Sequence, residues 1–291
     1  MKKFELTNQK IIKNGTTLYR IKALIDIDSI NVKAGDLGGW IEKEDNLSHL
    51  NNAWIFGNAE VYGNAIVFGN ARVSSNAVIY GNAEVYDNAE ISGYAIVFGN
   101  TRVFGDAKVY GDARVFGNGE NSGNARVFGN AKVYGDAVVY GNARVSGNAE
   151  IYGDAEIYGN ARVFGDAKVF GDAVVYGNAE VYDDAKVSGD ARVRCDAEVF
   201  GNAEVYGNAE VYGNAIVFKS SHWLSIGPLG SRNGFTTFYR NIDNNISVRC
   251  GCFDGNITEF KDKVIKTHND NKHAKAYLAA IELAKIQIEL D

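Results

Sequence analysis

Small and branched aliphatic residues recur with a strict six-residue period between residues 53 and 218. The unit reads Ala-x-Val-aromatic-Gly-Asn, and 28 such hexads follow one another without insertion or deletion. The first slot is Ala except at Thr101 and Gly119, and the third slot is Val or Ile except at Asn121. A period held this strictly predicts a repeat array, in which each unit buries its apolar face only against its neighbours.

Six residues are too few for a helical repeat, so each hexad is predicted to be a short strand followed by a corner. Side chains two apart on a strand share a face, which places Ala and Val in a narrow core. The x and aromatic positions then point outward, and Gly-Asn turns the chain because both residues tolerate positive φ. Three hexads would form one coil, so we expect about nine coils and a rod about 45 Å long.

The pattern Val-Tyr-Gly-Asn-Ala-x resembles the hexapeptide repeat of the left-handed parallel β-helix superfamily. The resemblance covers 166 of the 291 residues. It implies a single-stranded left-handed parallel β-helix of triangular coils. The handedness follows from the resemblance alone, because general crossover geometry favours right-handed connections.

The period divides the chain into an N-terminal β cap (1–52), the hexapeptide-repeat β-helix (53–218) and a small C-terminal β+α domain (219–291). The fold class is therefore mainly β. In the cap we expect a strand over 18–27, with Trp40 and Leu50 covering the open core, since a repeat stack must close its ends. In the C-terminal domain we expect three strands and then two helices. These elements are predicted over 223–226, 236–240, 246–252, 258–267 and 272–290.

The two non-repeat ends carry a second resemblance. The segments concerned are Tyr-Arg-Ile-Lys-Ala-Leu at 19–24, Lys-Ala-Gly-Asp-Leu-Gly-Gly at 33–39, Gly-Ser-Arg-Asn-Gly-Phe-Thr-Thr-Phe-Tyr-Arg at 230–240 and Val-Arg-Cys-Gly-Cys-Phe at 248–253. They resemble uncharacterised phage, prophage and Firmicutes proteins that carry a hexad array of variable length between similar ends. This resemblance covers the whole chain and implies origin and architecture, without an activity.

Charge and cysteine usage narrow the partners and the compartment. The net charge of −6 is concentrated in the array, which has 12 basic and 21 acidic residues. Because nucleic-acid binding needs clustered cations, no nucleic-acid partner is expected. The three cysteines (Cys195, Cys250, Cys252) have no disulfide or zinc spacing, and no membrane span or leader is recognisable. We therefore expect a cytoplasmic protein, in the host cytoplasm if it is phage-encoded.

The array lacks the residues of the known hexapeptide-repeat enzymes. Acyltransferases of that superfamily need a general-base His, and the carbonic anhydrase type needs three His ligands for zinc. The histidines of this chain all lie outside the array: His49, His222, His268 and His273. A fold alone does not fix an activity, so these residues make a non-enzymatic protein the favoured interpretation, without cofactor or metal.

Outward positions 18 residues apart are predicted to form columns. One column is aromatic at eight of nine positions and includes Tyr134, Tyr152 and Phe170. It has two interpretations: the rings stack on one another and shield the adjacent glycines, or they form an apolar face for a partner or second subunit. Two further columns hold four like charges each, at Lys108, Arg126, Arg144 and Arg162, and at Asp136, Asp154, Asp172 and Asp190. A solvated charged face is favoured there over an ion site, and at Asn121 a tolerated repeat defect is favoured over a site.

The C-terminal domain holds a second set of candidate binding residues: Arg232, Asn233, Tyr239, Arg240 and Arg249. Because Arg side chains match phosphate or carboxylate, the set has two interpretations: an anion pocket, or structural salt bridges. The salt bridges are favoured.

Taken together, the sequence predicts a non-enzymatic binding or structural protein. A rigid β-helical rod would present end domains and aromatic faces to a protein partner, most concretely as a phage-encoded host-interaction or inhibitor factor. A homo-oligomer is slightly favoured because of the aromatic columns. The alternative is a hexapeptide-repeat acyl- or nucleotide-sugar transferase with a non-standard site. A pocket that holds His222 or His268 beside Arg232 or Arg249 would favour that alternative.

Overall fold

The computed structural model describes residues 1–290 and separates into two compact units, residues 1–154 and the residues from 155 onward. Over both units the repeat strands number 28, which at three strands per turn gives between nine and ten turns. The structure is mainly β, with a parallel β-solenoid, N-terminal strands and a C-terminal antiparallel sheet with two helices.

Unit 1 begins with three longer strands and two 3₁₀ turns and continues with the first 17 repeat strands. The first strands are β1 (Phe4–Lys13), β2 (Thr16–Ala23) and β3 (Leu37–Ile41), and the 3₁₀ turns are Asp28–Ile30 and Glu44–Asn46. The repeat strands are β4 (Trp54–Ile55), β5 (Glu60–Val61), β6 (Ile66–Val67), β7 (Arg72–Val73), β8 (Val78–Ile79), β9 (Glu84–Val85), β10 (Glu90–Ile91), β11 (Ile96–Val97), β12 (Arg102–Val103), β13 (Lys108–Val109), β14 (Arg114–Val115), β15 (Glu120–Asn121), β16 (Arg126–Val127), β17 (Lys132–Val133), β18 (Val138–Val139), β19 (Arg144–Val145) and β20 (Glu150–Gly153).

Every third repeat strand pairs in parallel, so the strands form three sheets. Within unit 1 one sheet runs β5-β8-β11-β14-β17-β20, the second β4-β7-β10-β13-β16-β19 and the third β6-β9-β12-β15-β18. Partners lie 18 residues apart, as in the pair Val61 and Ile79. The Ala and Val or Ile side chains of the hexads are buried throughout, which confirms the predicted inward positions.

The N-terminal cap contains more strand than the sequence predicted. Strands β1 and β2 form an antiparallel hairpin, and β3 joins β2 on one side and the first solenoid sheet on the other, through β5. The predicted cover by Leu50 is wrong, because that side chain is 74% exposed. Phe4 and Trp54 are buried at the start of the array instead, with their rings 6.5 Å apart.

Side chains of the cap satisfy carbonyl groups at the open edge of the first turn. The ammonium group of Lys3 donates to the Ala53 carbonyl at 2.8 Å and to the Asn51 carbonyl at 3.3 Å. The amide of Asn46 donates to the Gly63 and Ala65 carbonyls. Lys3 is only 1% exposed, and burial lowers its pKa to about 8. An edge that would otherwise be unpaired is thereby closed by a buried lysine.

The lowered pKa of Lys3 predicts a stability difference that depends on pH. Between about pH 8 and the ordinary lysine value of 10.5, the unfolded chain retains a proton that the folded chain has released. The free energy of unfolding therefore rises with pH across this window because of Lys3. We expect the melting temperature of the wild type minus that of Lys3→Met to increase from pH 7.5 to pH 10. Thermal melts followed by circular dichroism measure it.

Lys2→Met is the matched control for this prediction, since Lys2 is 62% exposed and pairs with Glu44 at the surface. Its difference from the wild type should not rise over the same window. A constant difference for Lys3→Met would show that Lys3 is not titrating between pH 8 and 10.5.

Two polar residues, Thr101 and Asn121, occupy core slots of the hexads, and their side chains have different surroundings. Thr101 is buried, and its hydroxyl donates to the Phe98 carbonyl at 2.7 Å. Asn121 lies on β15 between Val103 and Val139 and is also buried. Neither polar atom of its side chain has a hydrogen-bond partner within the described residues. An unpaired buried amide is destabilising, so Asn121 is a defect of the repeat inside the core.

We expect Asn121→Val to stabilise the protein by about 1–3 kcal/mol, because it restores the aliphatic column and removes an unsatisfied amide. The melting temperature should rise by a few degrees. Val103→Asn, one turn earlier in the same column, is the matched control and should lower it. A destabilised Asn121→Val variant would mean that the amide has a partner in solution.

Unit 2 continues the solenoid and ends in a β+α segment. Its repeat strands are β21 (Glu156–Ile157), β22 (Arg162–Val163), β23 (Lys168–Gly171), β24 (Val174–Val175), β25 (Glu180–Val181), β26 (Lys186–Val187), β27 (Arg192–Val193), β28 (Glu198–Val199), β29 (Glu204–Val205), β30 (Glu210–Val211) and β31 (Ile216–Val217). After a 3₁₀ turn (Ser220–His222) come β32 (Trp223–Leu229), β33 (Gly234–Arg240), β34 (Ile246–Cys250), β35 (Phe253–Asn256), α1 (Ile257–His268) and α2 (Lys272–Gln287).

The four C-terminal strands form an antiparallel sheet in chain order, and the helices pack on one of its faces. Phe238 and Val248 of the sheet share a core with Phe260 of α1 and Ile281 of α2. The sequence predicted three of these strands and both helices. It did not predict β35, because the Asp, Gly and Asn that follow Phe253 are residues typical of turns.

Candidate functional site

The predicted aromatic column is a continuous stack of rings in unit 1. Its rings belong to Tyr62, Tyr80, Phe98, Phe116, Tyr134 and Tyr152. Neighbouring centroids lie 4.9 to 5.2 Å apart with planes within 9° of parallel. Tyr134 and Tyr152 are thus half-buried by their own neighbours, and Phe170 is half-buried in unit 2. Ring-on-ring stacking is present, and binding of a partner by these rings stays a prediction.

The side chains of the polar columns also form hydrogen bonds and ion pairs with one another. In unit 1 the corner amides form a ladder in which Asn82 donates to Asn100, Asn100 to Asn118 and Asn118 to Asp136. A carboxylate accepts but does not donate, so it can end such a ladder. Lys108, the first residue of the row of cations, forms an ion pair with Glu90 at 2.8 Å. These contacts support the interpretation of a solvated polar surface.

The structure separates the candidate arginines of the C-terminal domain. Arg232 and Asn233 are exposed in the turn between β32 and β33. Arg240 is 8% exposed, lies over the Phe218 ring at 5.1 Å and donates to Asn244 at 2.9 Å. Arg249 lies over a different ring, that of Tyr212. The three arginines therefore do not line one anion pocket.

Arg249 belongs instead to a cluster between the last solenoid turns and the C-terminal sheet. The carboxylate of Glu210 accepts from Arg249 at 3.4 Å and from Arg194 at 3.3 Å. Both guanidinium groups lie over the Tyr212 ring, with Cζ 5.0 and 4.4 Å from its centroid. Tyr239 is buried nearby on β33, and burial together with the Asp254 carboxylate raises its pKa. The cluster joins β34 to the array.

Sequence reasoning missed this cluster, although the period contains its signal. The hexad Ala-Arg-Val-Arg-Cys-Asp at 191–196 places Arg194 where an aromatic residue or Ser stands in the other hexads, and Cys195 in the glycine slot. Cys195 has a φ of +63°, so it adopts the left-handed conformation that glycine supplies in most other hexads. Two adjacent departures from the hexad pattern indicate that the residues there form contacts outside the repeating columns.

The cluster predicts a stability contribution from Glu210. Glu210→Ala would leave two half-buried guanidinium groups without their shared carboxylate, at a cost of about 1–3 kcal/mol. Glu204→Ala is the control, since Glu204 pairs with Lys186 at a more exposed site and should cost less than about 1 kcal/mol. Chemical denaturation of both variants measures the difference. Equal losses would show that the cluster does not stabilise the junction.

A cleft of about 290 Å³ lies between the tips of the C-terminal strands and the helices. Arg232 and His268 both line it, together with Tyr277 of α2. A short relay leads into it: Thr236 donates to the Cys250 sulfur at 3.1 Å, and the Cys250 thiol donates to the Tyr277 hydroxyl at 3.7 Å. Burial, together with this contact, raises the pKa of Tyr277 to about 12, so its hydroxyl stays protonated at neutral pH.

The histidines near the ends of the array have structural contacts. His49 accepts from the backbone N–H of Lys3 at 3.1 Å, and its ring stacks on Phe4. His222 is buried and accepts from the backbone N–H of Phe218 at 3.4 Å. His268 is different, because its ring lies 5.8 Å from the Tyr277 ring at the wall of the cleft.

Residues 1–290 contain no cluster of three or more His, Cys, Asp or Glu side chains that could hold a metal ion. No helix among these residues is long and apolar enough to cross a membrane.

A family model described as the YdcK β-solenoid repeat matches residues 131–147. The matched segment contains β17, β18 and β19, one strand from each of the three sheets and so one turn of the solenoid. The chain is therefore similar in repeat architecture to that family over this turn, and it is a β-solenoid repeat protein. No curated protein matches the chain.

Proposed function

We propose that this chain is a non-enzymatic binding protein, in which the solenoid is a rigid support and the end segments engage a protein partner. The observation that supports this proposal is where apolar side chains are exposed to solvent. The core slots of the array are buried and its rings stack on one another. On α2, Leu283 and Ile286 are 47% and 83% exposed. Exposed apolar side chains on one face are typical of interaction surfaces.

The partner surface that this distribution favours is the outer face of α2. Leu283 and Ile286 are three residues apart and therefore neighbours on one face of the helix. Ile281 belongs to the internal core and does not contribute. A homo-oligomer remains one form of the proposal, with a second copy as the occupant of this face.

The finer form of the proposal is a phage-encoded factor that binds a host protein in the host cytoplasm. Its support is the resemblance of both end segments to phage, prophage and Firmicutes proteins that carry hexad arrays of variable length. The three cysteines are free, which suits a reducing compartment. We also propose that the array belongs to the hexapeptide-repeat superfamily and that its coils are left-handed.

Partner capture with surface variants tests the proposed function. The full chain, Ile286→Asp and Tyr94→Asp would each be used to capture proteins from cells of the organism that carries the gene. Tyr94 is 64% exposed in the array, so it is a matched apolar-to-acid control. We expect a captured protein, re-bound in purified form, to be lost with Ile286→Asp and retained with Tyr94→Asp. The reverse pattern would assign binding to the solenoid face.

Light scattering of the purified full chain shows whether a second copy occupies the α2 face. A mass near 31.6 kDa leaves the α2 face open for a different protein, whereas a multiple of it that Ile286→Asp reduces to 31.6 kDa makes a second copy the occupant.

A second candidate is supported by one observation: His268 and Arg232 line the same cleft. That is the arrangement a transferase with a non-standard site requires, with His268 as general base. The cleft of about 290 Å³ lies at the lower limit of ligand pockets, so most of an acyl-CoA or nucleotide sugar would lie outside it. Transfer of the acetyl group from acetyl-CoA to an added alcohol or amine acceptor, with release of the free CoA thiol, would support this candidate if His268→Gln abolished it.

A further inference from the structure

The cleft between the C-terminal strands and helices combines an apolar floor with a cationic rim. Its floor consists of Leu229, Phe253, Phe260, Val264 and the ring of Tyr277. Phe260 and Val264 are also part of the buried core, so this floor is fixed by the packing of α1 on the sheet. An apolar surface of this kind binds the hydrocarbon part of a ligand and excludes water from it.

The charged side chains that the structure describes at the rim of the cleft are cationic. Arg232 and Lys263 line it from the β32–β33 turn and from α1, and His268 lies at the end of α1. Among residues 1–290 no acidic side chain lines the cleft, although the chain as a whole has a net charge of −6. Arg232 and Lys263 form no ion pair within residues 1–290. Two cations without a carboxylate partner above an apolar floor favour an anionic ligand.

The size of the cleft limits the ligand. Its volume of about 290 Å³ is roughly twice the ~150 Å³ of a protein cavity that accommodates benzene. One ring or branched aliphatic group and one small charged group therefore fill it. Hydroxyl groups of Ser231, Thr267 and Tyr277 are available as additional hydrogen-bond donors.

From these three features we infer that the cleft binds a small carboxylate with an aromatic or branched aliphatic body. The carboxylate would lie between Arg232 and Lys263, and the body would lie on Phe253, Phe260 and Tyr277. Such a group exists as a free acid and as the carboxyl end of a polypeptide, and both share this chemistry. The inference goes beyond the proposed function and does not depend on the α2 face.

Calorimetric titration of the full chain with paired probes tests the charge requirement. The pairs are phenylacetate with phenylacetamide, which represent a free acid, and N-acetylphenylalanine with its amide, which represent a chain end. We expect at least one acid to bind and its neutral amide to bind at least about tenfold more weakly. The tighter acid identifies the source. Equal binding of acid and amide, or no binding of either acid up to about 10 mM, would overturn the inference.

Single-charge variants then place the ligand in this cleft. Arg232→Gln and Lys263→Gln replace exposed side chains, so both should fold, and each should weaken binding of the acid by about fivefold or more. Lys266→Gln, on the same helix but outside the cleft, is the matched control and should not change binding. Unchanged binding in both cleft variants would overturn the inference. These readouts are independent of partner capture, so each proposal can fail without the other.

Discussion

Parallel main-chain pairing between residues 18 apart is the constraint on which the rest of the structure depends. In each unit, pairs such as Val61 with Ile79 and Val181 with Val199 place each slot of the hexad beside the same slot one turn away. Rings therefore stack on rings, corner amides donate to corner amides, and Ala and Val fill one narrow core. Because each column repeats the same contact, a favourable contact at one hexad is favourable at nearly all of them.

The same pairing leaves unpaired main-chain groups wherever the array begins or ends. At the start, side chains of Lys3 and Asn46 donate to carbonyls of the first turn, and β3 pairs with β5. In unit 2, Thr237 accepts from the backbone of Glu210, and the indole of Trp223 donates to the Glu204 carbonyl. A repeat cannot supply these partners itself, so the end segments must differ in sequence from the array.

Periodicity makes the solenoid predictable and the rest of the chain much less so. Inward and outward positions follow from the six-residue spacing alone, and the structure confirms them. The capping role of Lys3 could not be predicted, because a buried lysine carries no pattern and depends on carbonyls 48 and 50 residues away. Arg194 was predictable in principle as a break of the aromatic slot, but its contact with Glu210 follows only from the folded end of the array.

The register also decides where specific chemistry can arise. A column places the same slot of the hexad beside itself, so unlike side chains meet within a column only at the variable x slot and the corner, as Glu90 and Lys108 do. A larger constellation of different side chains requires a break in the period. The cluster around Glu210 uses such a break at Arg194 and Cys195, and the cleft lies wholly outside the array, between Leu229 and Tyr277. The two proposals therefore assign support and recognition to different parts of the sequence. Under them, changes in hexads alter the support, whereas changes in residues 219–290 alter the surface proposed to bind a ligand or partner.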